Sequence, residues 1–385
     1  MELRKDKTHF EMKKKLVVFH PAIAPYRIDF FNSLNKEFDA SFYFEFEDPL
    51  EQSFDKEKMR RRLAFMPMFL RPGFCGVKNL RLDVWKVLSI SSFDVVLISE
   101  YNLLGLLVLL HKWLFRKRVK IYTICDDNVD MAKSVGIIKK FTRFILLNFI
   151  DGTILADKKA FDWYREHLFY KARYFYFPII QSEENFRKNL ERALPRSRQI
   201  LKESFLQEKK AILFVGRLVK VKNISLLLDC YAQICLKMKN VVLIVVGEGD
   251  LEDELRRQAD ELHISDSVFF VGKKEGEELM AFYNLGAIFV LPSTYEPFGA
   301  VVNEALLAGC YTLCSSCAGA SCLIQEDENG NCFSVNNPED LITRLQYALS
   351  IVEPLTEELT LKENRMALSY EEQYSRFVYE FLEDK

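Results

Sequence analysis

Apolar runs of strand length alternate with helix-period segments along this chain. Leu16-Val-Val-Phe19 reads as a buried strand, Pro21 and Pro25 mark a turn, and a helix is predicted from about Ile28. Further strands are predicted at Ser41–Phe46, Val95–Ser99, Lys120–Ile124 and Thr153–Ala156, with amphipathic segments such as Ser134–Asn148 between them. This alternation is the signature of βαβ units and a parallel sheet covered on both faces.

The pattern breaks after Pro178. Residues 181–209 are polar and charged, without a strand-like run, and read as a linker with a helical passage. It then restarts more cleanly. Strands at Ala211–Val215, Val241–Val246, Val268–Val271, Ile288–Leu291 and Tyr311–Cys314 alternate with helices at about 223–238, 251–262, 275–284 and 300–308. The expectation is an α/β protein of two doubly wound, Rossmann-like domains, 14–180 and 210–366, joined by 181–209. A final amphipathic helix (about Leu368–Leu382, within 367–385) can extend either domain, by packing back on the first for instance. In such sheets ligands sit outside the carboxyl ends of the strands, so functional residues should lie just past each one.

A length of 385 residues suits two cores, and 49% apolar with 28% charged residues supplies material for both. Net charge is −2, but residues 1–180 hold 31 Lys and Arg against 22 Asp and Glu, and the remainder 22 against 33. An acidic second half argues against nucleic acid as a partner. A basic first half suits an anionic membrane face or an acidic substrate, or is scattered solvated charge. Met1 to Lys15 is charged and has no leader-like apolar stretch. Leu103–Leu110 is far short of the about 20 apolar residues of a bilayer span and reads as a buried helix. A cytoplasmic protein, soluble or at the inner face of the membrane, is expected.

Nine cysteines fit a reducing compartment. Cys314-Ser-Ser-Cys317 has the gap of redox and zinc sites, but no second knuckle or His pair accompanies it. Buried small apolar residues are the simpler reading.

The chemistry concentrates in Tyr295-Glu-Pro-Phe-Gly-Ala-Val-Val-Asn-Glu-Ala-Leu-Leu-Ala-Gly309. After a strand ending at Leu291-Pro-Ser293, a loop presents Glu296. A helix is predicted from near Gly299, with Glu304 about a turn and a half in. The helix start offers backbone N–H groups to an anion, and Pro297 and Gly299 shape a tight loop. Glu296 and Glu304 can accept bonds from sugar or ribose hydroxyls, or they are a loop charge and a solvated helix face. A second element, Phe214-Val-Gly-Arg-Leu-Val-Lys-Val-Lys-Asn223, follows the first strand of the same domain. Gly216 permits a turn, Arg217 can bind phosphate bidentately, and Lys222, or Lys220 on spacing alone, adds a mobile charge.

Gly216-Arg-Leu with Lys222, then Pro292-Ser293, Glu296 and Glu304, resembles the donor site of retaining glycosyltransferases of family 4, the group 1 glycosyltransferases. Pro25-Tyr-Arg-Ile-Asp-Phe-Phe31 resembles the first loop and helix of their bacterial polysaccharide members. The likeness follows the layout of 14–350 and is sharp over about 211–320. It implies a GT-B fold, two domains facing a central cleft, with the nucleotide on the second. It further implies that Arg217 and Lys222 hold the diphosphate, Glu304 the ribose and Glu296 the transferred sugar, with the Phe298–Gly299 backbone beside the phosphate or sugar. Tyr26, Arg27 and Asp126 would lie on the acceptor side. The substrate would be a UDP- or GDP-type sugar, with no cofactor or metal, and the acceptor a glycan or a lipid-linked glycan.

Departures from the pattern are visible. Tyr122-Thr-Ile-Cys-Asp-Asp-Asn-Val-Asp130 has Cys125 where the family often has His, and Asp126 and Asp127 also suit a helix cap. The run mimics a calcium loop but has Met131 and Ile137 where Gly and Glu are needed. Gly247-Glu-Gly-Asp-Leu-Glu252 lacks the third Gly of a dinucleotide fingerprint and reads as a strand-to-helix turn beside the base. Lys56-Glu-Lys-Met-Arg-Arg-Arg62 followed by Leu63–Leu70, with Arg116-Lys-Arg118, suits either a membrane contact or a solvated helix and a strand. A sugar-nucleotide epimerase or a non-catalytic nucleotide-sugar-binding scaffold are the alternatives to a transferase. The first lacks a trusted His acid/base, and the intact set of Arg217, Lys222, Glu296 and Glu304 speaks against the second.

Overall fold

The apolar runs become two sheets in the computed structural model, which describes residues 13–47, 56–77, 79–168, 170–204 and 206–382. Residues 1–12, most of the charged Met1–Lys15 stretch, lie outside these. The first sheet holds β1 (Lys15–His20), β2 (Asp39–Phe44), β3 (Met68–Phe69), β4 (Val95–Ser99), β5 (Lys120–Cys125), β6 (Gly152–Leu155) and β7 (Arg173–Tyr176). Their order is β3-β2-β1-β4-β5-β6-β7, and β1 pairs in parallel with both β2 and β4. The second sheet holds β8 (Lys210–Val215), β9 (Val241–Val246), β10 (Val268–Gly272), β11 (Ile288–Leu291), β12 (Tyr311–Ser315) and β13 (Gly330–Phe333). Its order is β10-β9-β8-β11-β12-β13, with every neighbouring pair parallel.

Each order reverses once, at β1/β4 and at β8/β11. These are the switch points where an open α/β sheet leaves a crevice at its carboxyl edge. The fold is therefore the expected pair of Rossmann-like sheets. The chain divides into two compact units. The first takes the chain up to Cys125, Val135–Ile154 and the stretch ending at Tyr174. The second takes Asp126–Ser134, Leu155–Leu168 and everything from Phe175 on.

The second unit's core is built from β8, β9 and β11 and the helices over them. Leu213, Phe214, Leu243, Val245 and Val290 are fully buried, and β-branched and aromatic residues in continuous runs suit strands covered on both faces. Tyr231, buried in the same core, donates its hydroxyl to the Val241 and Ser267 carbonyls, so its polar end is satisfied. The polar passage 181–209 contains helices Glu183–Arg192 and Leu194–Glu203, which lie within the second unit. Asn284 Nδ2 donates to the Leu190 carbonyl at 2.8 Å there. The terminal helix Tyr370–Leu382 also lies in that unit, with Phe377 and Phe381 against Phe177 and Phe175.

Lys56–Arg62 is a helix, and the apolar run after it is mostly half-buried. Phe65 stacks on Phe42, Leu70 is buried, and Met66 is its exposed large apolar residue. The stretch is thus a helix followed by the short strand β3. The run 126–131 forms a cap: Asn128 Oδ1 accepts from the Met131 N–H at 2.9 Å to open helix Val129–Lys133. Cys314 of the two-residue gap is buried in β12 in register with Cys332. Burial pushes the Cys332 thiol up to about 12 and that of Cys322 up to about 11. These thiols stay protonated and inert, as small buried apolar groups do.

Candidate active site

Three loops leave the carboxyl edge of the second sheet and are stitched to one another by backbone bonds. The Gly216 N–H donates to the Val246 carbonyl, Leu218 N–H to Glu248, and Gly247 N–H to Gly272. A Cβ on Gly247 would sit 1.8 Å from the Gly216 carbonyl oxygen. Only glycine lets the loop after β9 lie directly on the loop after β8. The Gly247–Glu252 run is thus a strand-to-helix turn, leading into helix Glu252–Glu261, and it buttresses the segment that carries Arg217.

From that segment Lys222 reaches across the switch point to Glu296 of the loop after β11. The two form an ion pair and hydrogen bond, with each side chain only 14% exposed. Lys220, the alternative left open by spacing, is exposed. The Thr294 N–H donates to the Val221 carbonyl at 2.9 Å and ties the two loops at their bases. Ser293 lies beside the same Glu296 oxygen.

Gly299 follows at φ +96°, and a Cβ there would meet Leu291 at 2.8 Å and Glu296 Cγ at 3.1 Å. Both the backbone angle and the space demand glycine. Gly216, Lys222, Glu296 and Gly299 are thereby brought to one place. The Phe298 ring is buried, and its carbonyl accepts from the Ala320 N–H. The following helix begins at Val301, two residues later than predicted, and Glu304 is its fourth residue.

Glu304 sits in a separate network. Gln181 Nε2 donates to one carboxylate oxygen at 2.9 Å and Tyr283 Oη to the other at 2.8 Å. Burial, then the Glu304 charge, hold the Tyr283 phenol well above its usual value, so it remains a donor. The Gln181 backbone is itself fixed by Asn303 Oδ1 at 2.9 Å.

Gln181, Tyr283 and Asn303 were not predicted, and neither was Asn128, whose Nδ2 donates to the Glu296 carbonyl at 3.1 Å. For Asn128 the signal was present as a capping residue in the Asp126–Asp130 run; its second bond was not. Asp126 is half-buried at the start of that run. In the first unit, Tyr26 and Arg27 follow β1. Arg27 is buried with its guanidinium over the Phe30 ring at 5.9 Å, and Tyr26 is half-buried.

Residues 196–360 match the family "Glycosyl transferases group 1". This span carries the loops after β8, β9 and β11, with Lys222, Glu296 and Glu304. The span is similar to a group 1 glycosyl transferase domain. Relatives match over a stretch of similar length. An uncharacterized glycosyltransferase of Methanocaldococcus jannaschii is 35% identical over 143 residues, 37% of this chain and 36% of its own. The 4-alpha-N-acetylgalactosaminyltransferase of Campylobacter jejuni that acts on an N-acetylgalactosamine-N,N'-diacetylbacillosaminyl-diphospho-undecaprenol is 32% identical over 148 residues, 38% of this chain and 39% of its own. The match thus spans well under half the length of these curated relatives. Among solved structures, Anabaena HepE in complex with UDP superposes with a TM-score of 0.72 at 16% identity, covering 97% of this chain and all of that one. That likeness shows a shared GT-B fold.

Proposed function

We propose that the protein is a retaining glycosyltransferase that moves a sugar from a nucleoside-diphosphate sugar to a glycan or lipid-linked acceptor in bacterial surface polysaccharide assembly. The observation that carries this reading is the Lys222–Glu296 pair at the β8/β11 switch point. It places a cation and a carboxylate side by side, where a diphosphate and a sugar adjoin in the donor. On binding, a phosphate replaces Glu296 as the partner of Lys222, and the freed carboxylate takes sugar hydroxyls. Arg217 supplies the second counter-charge, and Glu304 takes the ribose.

The chemistry then follows from charge. Departure of the nucleoside diphosphate places negative charge on the bridging oxygen, and Arg217 and Lys222 stabilise it where it develops. The sugar becomes oxocarbenium-like, and the acceptor attacks from the face the leaving group vacates, passing its proton to the departing phosphate. Configuration is retained without an enzymic base. No metal enters this scheme, because two protein cations face the diphosphate. UDP is the first nucleotide to try, since HepE is crystallised with UDP and with UDP-glucose. The undecaprenyl acceptor of the Campylobacter relative motivates the lipid-linked acceptor and a place at the cytoplasmic face of the membrane.

Thermal unfolding with UDP, GDP and ADP, with and without magnesium, tests the donor site. A ligand of the folded state at a hundredfold excess over Kd adds about 2.7 kcal/mol. Arg217→Ala should abolish most of that shift and lower turnover on the order of a hundredfold. An unchanged shift and turnover in Arg217→Ala sinks the phosphate role.

A further inference from the structure

The helix Ile137–Phe149 in the first unit is amphipathic in an unusual sense, because the face away from the core is also apolar. Thr142, Arg143, Leu146 and Leu147 are buried. Toward solvent it shows Ile137 (88% exposed), Ile138 (79%), Phe141 (62%) and Phe144 (53%). At positions 137, 138, 141 and 144 these form one stripe on a helix of 3.6 residues per turn. The stripe continues onto the packed neighbour, helix Leu103–Leu114, where Trp113 meets Phe149 edge-on at 4.8 Å. Trp113 is itself 47% exposed, with Leu114 and Phe115 open beside it. A contiguous apolar surface of this kind on a water-facing helix is a contact surface.

Charge identifies what it contacts. Residues 103–120 and 135–150 together hold eight Lys and Arg and no Asp or Glu. Lys112 and Lys139 are paired with Asp151 and Glu100, and Arg143 is buried. Arg116, Lys117, Arg118 and Lys140 are exposed around the stripe. An apolar stripe with Trp and Phe, bordered by a clear excess of cations, is the composition of an interfacial helix. A second copy of the chain is a poor fit. A two-fold contact sets each patch against itself, so this basic border would oppose its own copy.

We propose that this face, helix Ile137–Phe149 with the 110–118 end of its neighbour, docks on an anionic lipid surface. Among the described residues no helix is long and apolar enough to cross a membrane. The helix lies flat instead, with its stripe in the headgroup boundary and Arg116, Lys117, Arg118 and Lys140 at the phosphates. The surface differs from the Lys56–Leu70 stretch singled out in the sequence, whose apolar run is mostly half-buried. It stands independently of the donor-site reading.

Cosedimentation of the full chain with vesicles tests it, comparing pure phosphatidylcholine with phosphatidylcholine containing phosphatidylglycerol. The chain should pellet with the anionic vesicles and stay largely in solution with the neutral ones. The double variant Ile138→Glu, Phe141→Glu should weaken partitioning at least roughly tenfold, and Arg116→Glu, Lys117→Glu several-fold. Both pairs lie at exposed positions, so melting temperature and any nucleotide-induced shift should match the parent, which separates lost docking from lost folding or a failed donor site. Equal binding to both vesicle types, unchanged binding in the variants, or a dimer in light scattering that Ile138→Glu, Phe141→Glu dissociates would each overturn the proposal.

Discussion

At the scale of single residues, the proposed nucleotide recognition turns on how Glu304 is held. A carboxylate that is to accept two ribose hydroxyls must be fixed in plane, and Tyr283 and Gln181 each bind one oxygen. Tyr283→Phe keeps the ring and the packing but removes a charge-assisted bond of about 1.5–3 kcal/mol. The expected outcome is a roughly tenfold loss of UDP affinity with much less change for 2′-deoxy-UDP. Equal losses for both nucleotides in a binding titration would mean that Tyr283 acts only through stability. Glu296, Glu304 and Lys222 were legible in the sequence because they lie in short runs beside strand ends. Tyr283 and Gln181 were not. Gln181 is 123 residues from Glu304, and nothing local in its surroundings marks it. Asn128, 168 residues from Glu296, shows its cap locally and its bond to the active-site loop only in three dimensions.

Elements were easier to read than their partners, and the exceptions have causes. β3 is two residues long and carries no periodicity. β13, Gly330-Asn-Cys-Phe333, contains a Gly and an Asn, residues depleted from strands. The Asn is tolerated because Asn331, fully buried, accepts from Tyr311 Oη at 2.5 Å and donates to Glu326 and Asp327. Tertiary bonds replaced local propensity.

The helix Leu103–Leu114 was legible as a buried helix, but its apolar run hid a titrating group. His111 is buried with Nε2 3.2 Å from Ser89 Oγ. Burial first, then nearby Lys117, hold its pKa below the usual 6.5. The unfolded chain therefore takes the proton first as pH falls through 6.5. This site should cost stability below that pH and none above it. Denaturant melts at about pH 7 and about pH 5 should show a smaller acid loss for His111→Gln than for the parent. A steeper loss in the variant would show the imidazole to be charged in the fold.

Across the whole molecule the charge is divided, with nine more cations than acids in residues 1–180 and eleven more acids than cations in the rest. The anionic nucleotide nevertheless is assigned to the acidic half. Range resolves this. At physiological salt the Debye length is about 8 Å, so scattered surface acids contribute little, while a pair as shielded as Lys222 and Glu296 is screened far less. Vesicle docking instead rests on exposed cations, each worth about 1 kcal/mol near an anionic surface at ordinary salt. The two activities of one chain should thus respond differently to ionic strength. Raising salt about tenfold should release the protein from anionic vesicles while nucleotide affinity changes only a few-fold. Nucleotide affinity that fell as steeply as docking would place the diphosphate on exposed charge, away from Arg217 and Lys222. Docking that survived the salt would assign the membrane contact to the Ile137–Phe144 stripe alone, and the basic border would then be solvated surface.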